Sequence, residues 1–227
     1  MGIGNISQNT IKQNIDNAKK FMSQQDVNEC KIGLNGADAN GDGKTSGIEM
    51  YKNWSETCEN VFAGNDAFLK RGEEIAIAQG EIYSMYAGED GVLDEYEYNA
   101  ALQSEEMNVL IDEYWDMKNE MEAMNGEKEI NGLDSYDIFS GNHDGNISAN
   151  EIANQKSELY AKKFEDSKLI NKFAQKVIEQ QEKILKKFEG DDGHLSTEEF
   201  TEAVQSYEYQ ETLNKMNALD NIFKWFD

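Results

Sequence analysis

Apolar residues recur along this chain with a period near that of an α-helix, and the runs they form are separated by acidic stretches centred on glycine. Phe68, Ile75 and Ile82, shadowed by Leu69, Ala76 and Tyr83, fall on one side of a helix. Tyr51, Trp54, Cys58 and Val61 form a similar face upstream, and Ile170, Phe173, Val177, Ile184 and Phe188 form one downstream. Amphipathic helices are also expected at Ile11, Ile15, Ala18 and Met22, at Leu110, Tyr114, Met117, Met121 and Met124, and at Met216, Leu219, Phe223 and Phe226. Asn65-Asp66 and Asp166-Ser167 are good N-caps, so each stretch between glycine-centred segments reads as two helices. The chain contains no proline to break them. These patterns predict an all-α fold.

The glycine-centred segments carry the chemistry. Asp38–Glu49 matches the calcium-loop pattern D-x-[DN]-x-[DN]-G-x₅-E without a gap. Asp38, Asn40 and Asp42 supply side-chain oxygens in that pattern, and Lys44 supplies its backbone carbonyl. Ser46 stands where a water-bridged ligand is usual, and Glu49 closes the cage with two carboxylate oxygens. Gly43 allows the sharp turn, because it tolerates positive φ. A merely solvated acidic turn would not require a glutamate at the twelfth position.

Three further segments share the central glycine: Tyr86–Glu97, Ser140–Glu151 and Phe188–Glu199. The pivotal glycines Gly43, Gly91, Gly145 and Gly193 are spaced by 48, 54 and 48 residues, which implies a repeat of 102. A shift of 102 lays Ala101–Ser104 on Ala203–Ser206 and Glu106 on Glu208. The chain therefore reads as a duplicated pair of loops. Asn125-Gly126 closes the middle helix, so the halves are expected to be residues 1–125 and 126–227.

Composition narrows the partners. Of 227 residues, 21 are basic and 45 acidic, for a net charge of −24, which disfavours nucleic acid and anionic membrane surfaces. Cations are favoured instead: four bound Ca²⁺ would still leave −16. No run approaches 18 apolar residues, and the polar N-terminus shows no signal peptide. Ile6 stands where an acylation signal wants Ser or Thr. Cys30 and Cys58 read as free thiols in a reducing, cytoplasmic setting, with a single disulfide as the alternative.

With these loops in place the chain resembles the EF-hand superfamily, with four hands in two duplicated pairs. The resemblance covers nearly all of the chain except the terminal helices. It implies tandem helix-loop-helix pairs with long interloop helices and short β-bridges at the eighth loop position, here Thr45, Leu93, Ile147 and Leu195. Loops 2 and 4 begin with Tyr86 and Phe188 when counted as twelve residues, and these cannot chelate. Counted as eleven, they resemble the shortened first loop of penta-EF-hand proteins, in which a backbone carbonyl replaces the first carboxylate. That likeness implies ligands from Ala87 carbonyl, Asp90, Val92 carbonyl and Glu97, with Asp94 alongside. In loop 4 it implies Glu189 carbonyl, Asp192, His194 carbonyl and Glu199, with Ser196 alongside. The bland alternative is two inert hands kept for pairing. Loop 3 departs differently: Ser140 replaces the first Asp, so only Asp144 and Glu151 carry charge among Ser140, Asn142, Asp144, Asn146, Ser148 and Glu151. It is expected to be the loosest site. Hands commonly repeat at about 36 residues in this family, so the 48-residue spacing implies longer arms.

The resemblance implies a non-catalytic calcium-ion-binding protein, either a Ca²⁺ sensor or a Ca²⁺ buffer, holding up to four Ca²⁺ with Mg²⁺ as competitor. A Ca²⁺-stabilised structural or interaction module, dockerin-like or adaptor, is the alternative. A sensor would offer an apolar groove to a protein partner, and Met117, Met121 and Met124 would suit one, although such a stripe is more often core. Ile222–Phe226 offers the same choice between partner anchor and internal packing. Catalysis is disfavoured, because His143 and His194 lie inside loops and neither has a nucleophile or zinc-ligand spacing beside it.

Overall fold

Helices begin in this protein where a short polar side chain satisfies an otherwise orphaned backbone donor. Ser7, Ser23, Ser46, Asn65, Asp94, Ser148, Ser167 and Ser196 each accept an N–H two or three residues ahead, and a helix starts directly after each. The computed structural model describes residues 6–130, 132–134, 136–137 and 144–223. Among them are α1 (Gln8–Phe21), α2 (Gln24–Ala37), α3 (Gly47–Val61), α4 (Asp66–Tyr86) and α5 (Glu95–Leu102). Then come α6 (Glu105–Met124), α7 (Ala149–Lys163), α8 (Lys168–Leu185), α9 (Thr197–Gln205) and α10 (Tyr207–Phe223). The fold is all-α. Helices α3, α4, α5 and α6 begin at residues 47, 66, 95 and 105, and α7 to α10 begin at 149, 168, 197 and 207, each 102 residues further along.

No strand or β-bridge is formed among the described residues. The short β-bridges expected between paired loops are thus corrected, among the described residues, to one backbone-to-backbone hydrogen bond in each pair. Leu93 N–H donates to the Thr45 carbonyl at 2.8 Å, and Leu195 N–H donates to the Ile147 carbonyl at 2.7 Å. A ladder needs repeated or reciprocal bonds, and a single bond does not extend into one.

The chain divides into two compact units, residues 2–111 and 112–227, with the division inside α6. In the first unit the turn at residues 62–65 folds α4 back along α3. Phe68, Ile75, Ile82 and Tyr83 are buried on α4, as their spacing predicts, and Cys58 and Phe62 are buried at the end of α3. Phe62 and Phe68 meet edge to face at 6.0 Å, and Tyr83 stacks on Tyr98 at 5.6 Å. Helix α1 lies against α5, burying Ile11 and Ala18. Cys30 and Cys58 are both free and buried. Helix α6 ends in a Schellman turn: Glu127 N–H donates to Glu122 carbonyl and Gly126 N–H to Ala123 carbonyl, with Gly126 at φ 70°.

The second unit packs α8 against α7 and α10 around Ile152, Leu159, Phe164, Ile170, Ile178 and Leu185. Met117 and Met121 are buried there, so these two members of the methionine stripe are core. Phe173 departs from its predicted face and is 49% exposed, while Ile170, Val177 and Ile184 on the same helix are buried. This core also holds charge. Lys156 Nζ contacts Asp116 Oδ1 at 3.1 Å and Glu120 Oε1 at 2.5 Å, and Lys163 Nζ lies 2.6 Å from both Glu113 Oε1 and Asp220 Oδ1. Tyr136 OH donates to Asp116 Oδ1 at 2.7 Å, and Tyr209 OH to Glu120 Oε1 at 3.0 Å. Burial pushes the Glu120 carboxyl up, opposed by Lys156 and helped by the Asp116 charge, to about 7.

Candidate metal-binding loops

In loop 1 the backbone is wound around the Asp38 carboxylate. Gly41 N–H donates to its Oδ1 at 2.9 Å and Gly43 N–H to its Oδ2 at 2.8 Å. Asp42 N–H donates to Asn40 Oδ1, and Lys44 N–H to Asp42 Oδ1, each at 2.9 Å. Glu49 then reaches back across the loop: its Oε1 accepts from Asn40 Nδ2 and its Oε2 from Ser46 N–H and Oγ–H, all at 2.9 Å. Ser46 returns its Oγ to Glu49 N–H, so the closing carboxylate is also half of a capping box that starts α3. Thr45 Oγ donates to Leu34 carbonyl at 2.9 Å, which ties the loop to the end of α2 and satisfies a buried hydroxyl.

The other loops repeat parts of this frame. The residue after each pivotal glycine donates its N–H to the aspartate before that glycine: Val92 to Asp90 at 3.1 Å, Asn146 to Asp144 at 2.9 Å and His194 to Asp192 at 3.1 Å. Each closing glutamate forms the same capping box, Glu97 with Asp94, Glu151 with Ser148 and Glu199 with Ser196. All four pivotal glycines have positive φ, between 69° and 80°.

Loops 2 and 4 differ at their starts, where the shortened form puts carbonyls. Gly193 N–H donates to Gly190 carbonyl at 3.0 Å, a backbone oxygen standing where loop 1 uses a carboxylate. A Cβ on Gly190 would lie 3.0 Å from Glu199 Oε1 and 3.4 Å from Asp192 Oδ1, and one on Gly88 would lie 3.6 Å from Glu97 Oε1. Both loops thus keep a side-chain-free hollow faced by their closing glutamate. In loop 2 burial pushes the Glu97 carboxyl above the ordinary range, and the neighbouring Asp94 and Asp90 charges add to this. The Glu189 side chain is committed elsewhere, its Oε1 accepting from Ala149 N–H at 2.5 Å in the first turn of α7.

Among the described residues, no three His, Cys, Asp or Glu side chains are grouped closely enough to hold a metal ion by themselves. An ion in these loops would draw the rest of its shell from amide and carbonyl oxygens, which this donor set provides at Asn40, Lys44, Ala87, Val92, Glu189 and His194. Ser140, Asn142 and His143 lie outside the described residues. In loop 3 the structure brings forward an acid that the loop pattern passed over: Gly145 N–H donates to Asp137 Oδ2 at 3.0 Å. Its only signal in the sequence is an aspartate shortly before a loop that lacks a first acid. Cys58, 1% exposed with its thiol pushed by burial up to about 12, is no nucleophile. No described helix is long and apolar enough to cross a membrane. No family model, no curated protein and no solved structure matches the chain.

Proposed function

We propose that this is a non-catalytic Ca²⁺-binding protein of EF-hand type, with two pairs of loops arising from an internal duplication. The observation that carries the reading is the recurrence, in four loops, of one hydrogen-bonded frame that ends on a glutamate. Hard cations with oxygen shells suit such a frame, and Ca²⁺ tolerates its irregular geometry better than Mg²⁺ does. The backbone hydrogen bonds joining loop 1 to loop 2 and loop 3 to loop 4 support pairing. The equal offset of helix starts supports duplication.

Calorimetric titration of chelator-stripped protein with Ca²⁺ in millimolar Mg²⁺ is expected to show three or four bound ions. Glu49→Gln and Glu151→Gln together should remove two of them and leave the eleven-residue loops loaded. Each occupied site at a hundredfold excess of Ca²⁺ over Kd should add about 2.7 kcal/mol of stability. Absence of any binding at millimolar Ca²⁺ would defeat the proposal.

One observation favours a sensor over a buffer. A groove of about 240 Å³ beside loop 1 is lined by Gly47, Ile48, Tyr51, Ile77, Gly80, Glu81 and Ser84, with Ile48 65% and Ile77 44% exposed. Its first residue is two positions before the closing Glu49, so rearrangement of that carboxylate on binding reaches the groove directly. An apolar-surface dye should bind more strongly with Ca²⁺; a decrease would favour the buffer.

A further inference from the structure

We infer that Asp137 supplies the first carboxylate of the third metal site, three residues upstream of Ser140, the position that the twelve-residue pattern assigns. The inference rests on the Ca²⁺-binding reading and changes the ligand set within it. The decisive observation is a buried acid without a full set of partners. Asp137 is 7% exposed, and its Oδ1 has no hydrogen-bond partner among the described residues. A carboxylate oxygen hidden from water and left unpaired is costly unless a cation or donor meets it.

One oxygen of that carboxylate is held by the loop. Its Oδ2 accepts Gly145 N–H at 3.0 Å, just as Asp38 Oδ2 accepts Gly43 N–H at 2.8 Å in loop 1. Gly145 and Gly43 have nearly the same φ, 80° and 78°. Asp137 thus stands against the pivotal turn of loop 3 as Asp38 stands against that of loop 1. The preceding residue, Tyr136, is fully buried, its hydroxyl bonded to Asp116 and its ring 6.4 Å from that of Phe200, which anchors the backbone next to Asp137. Carboxylates at Asp137, Asp144 and Glu151 restore three negative charges to a site that Ser140 would leave with two. Site 3 then equals site 1 in charge, since Asp38, Asp42 and Glu49 also give three.

Asp137→Asn and Ser140→Ala, made separately in the full chain, test this, with Glu49→Gln as reference. Titration with Ca²⁺ should show one site weakened by about tenfold or more in Asp137→Asn, in addition to the site lost in Glu49→Gln. Melting with and without Ca²⁺ separates ligation from structure. Asn keeps an oxygen for Gly145 N–H and removes the unpaired charge, so the chelator-treated variant should melt no lower than the parent, while its gain from Ca²⁺ shrinks. Parent-like titration of Asp137→Asn, or an equal drop in melting with and without Ca²⁺, overturns the assignment. So does loss of the site in Ser140→Ala with Asp137→Asn unaffected. If the parent chain and Glu49→Gln bind no Ca²⁺ either, the fault lies with the Ca²⁺ reading itself.

Discussion

Lys156→Met is expected to destabilise the second unit by about 3–5 kcal/mol at pH 8, the usual cost of stranding a buried charge by removing its partner. The Lys156 ammonium is the shared partner of Asp116 and Glu120, all three less than a tenth exposed. Methionine matches the stem of the side chain but offers neither carboxylate a donor. The triple change Lys156→Met, Asp116→Asn, Glu120→Gln should recover much of the loss, because no buried charge is then left unpaired. Urea unfolding of the three proteins decides it, and an unchanged midpoint for the single variant would show that the carboxylates find other partners.

The same cluster sets a pH dependence. One ammonium faces two carboxylates, and Glu120 is held at about 7 from an ordinary 4.5. The folded chain therefore binds a proton at Glu120 that the unfolded chain releases between these values. Stability from this group is fully present below 4.5 and falls as pH rises towards 7, at up to about 1.4 kcal/mol per pH unit. Glu120→Gln keeps an oxygen for Lys156 Nζ and Tyr209 OH and cannot ionise. Its stability relative to the parent should rise between pH 5 and 8, and a constant difference would refute the shift.

Hydrophobic periodicity did not advertise this cluster, for a physical reason. Glu113, Asp116 and Glu120 on α6 and Lys156 and Lys163 on α7 lie at helical spacing, which reads as a solvated stripe. Periodicity reports which residues share a face and is silent on where that face points when its members are charged. The clue available was complementarity: acids seven apart, Glu113 and Glu120, opposite lysines seven apart, Lys156 and Lys163. Apolar faces were more legible, since burial of Phe68, Ile75 and Ile82 follows from composition and spacing together. Caps were legible too. Asn65 and Ser167 start α4 and α8 as their side chains suggest. The candidate loops divide in the same way. Asp38, Asp42 and Glu49 could be picked out because twelve-residue spacing is a local property, whereas Asp137 reaches Gly145 across eight residues with no fixed spacing to betray it.

Gly47→Ala is the second change with a large expected effect. A Cβ at Gly47 would lie 2.0 Å from Ser84 Oγ and 2.7 Å from both Gly80 carbonyl oxygen and Ser84 nitrogen. A Cβ on Gly80 would in turn lie 2.6 Å from Tyr51 Cβ. Helices α3 and α4 thus approach through two glycines, and two of the three atoms met at Gly47 belong to the backbone. A serine hydroxyl can rotate away, but a helix backbone cannot, so the first turn of α3 must lift from α4. Overpacking of this kind costs about 1–3 kcal/mol, and Ala at the first helical position returns only a fraction of its usual propensity gain. Ser84→Ala in the same chain should recover little. Gly36→Ala is the control, because nothing lies within 4 Å of its Cβ and it sits inside α2; it should leave stability unchanged or raise it by up to about 1 kcal/mol. Lifting α3 also carries Glu49 away from Asn40, so Gly47→Ala should weaken Ca²⁺ at loop 1 and spare the loops of the second unit. If stability falls while Ca²⁺ binding at loop 1 stays intact, the loop is held by its own hydrogen bonds, and the contact of α3 with α4 serves packing alone.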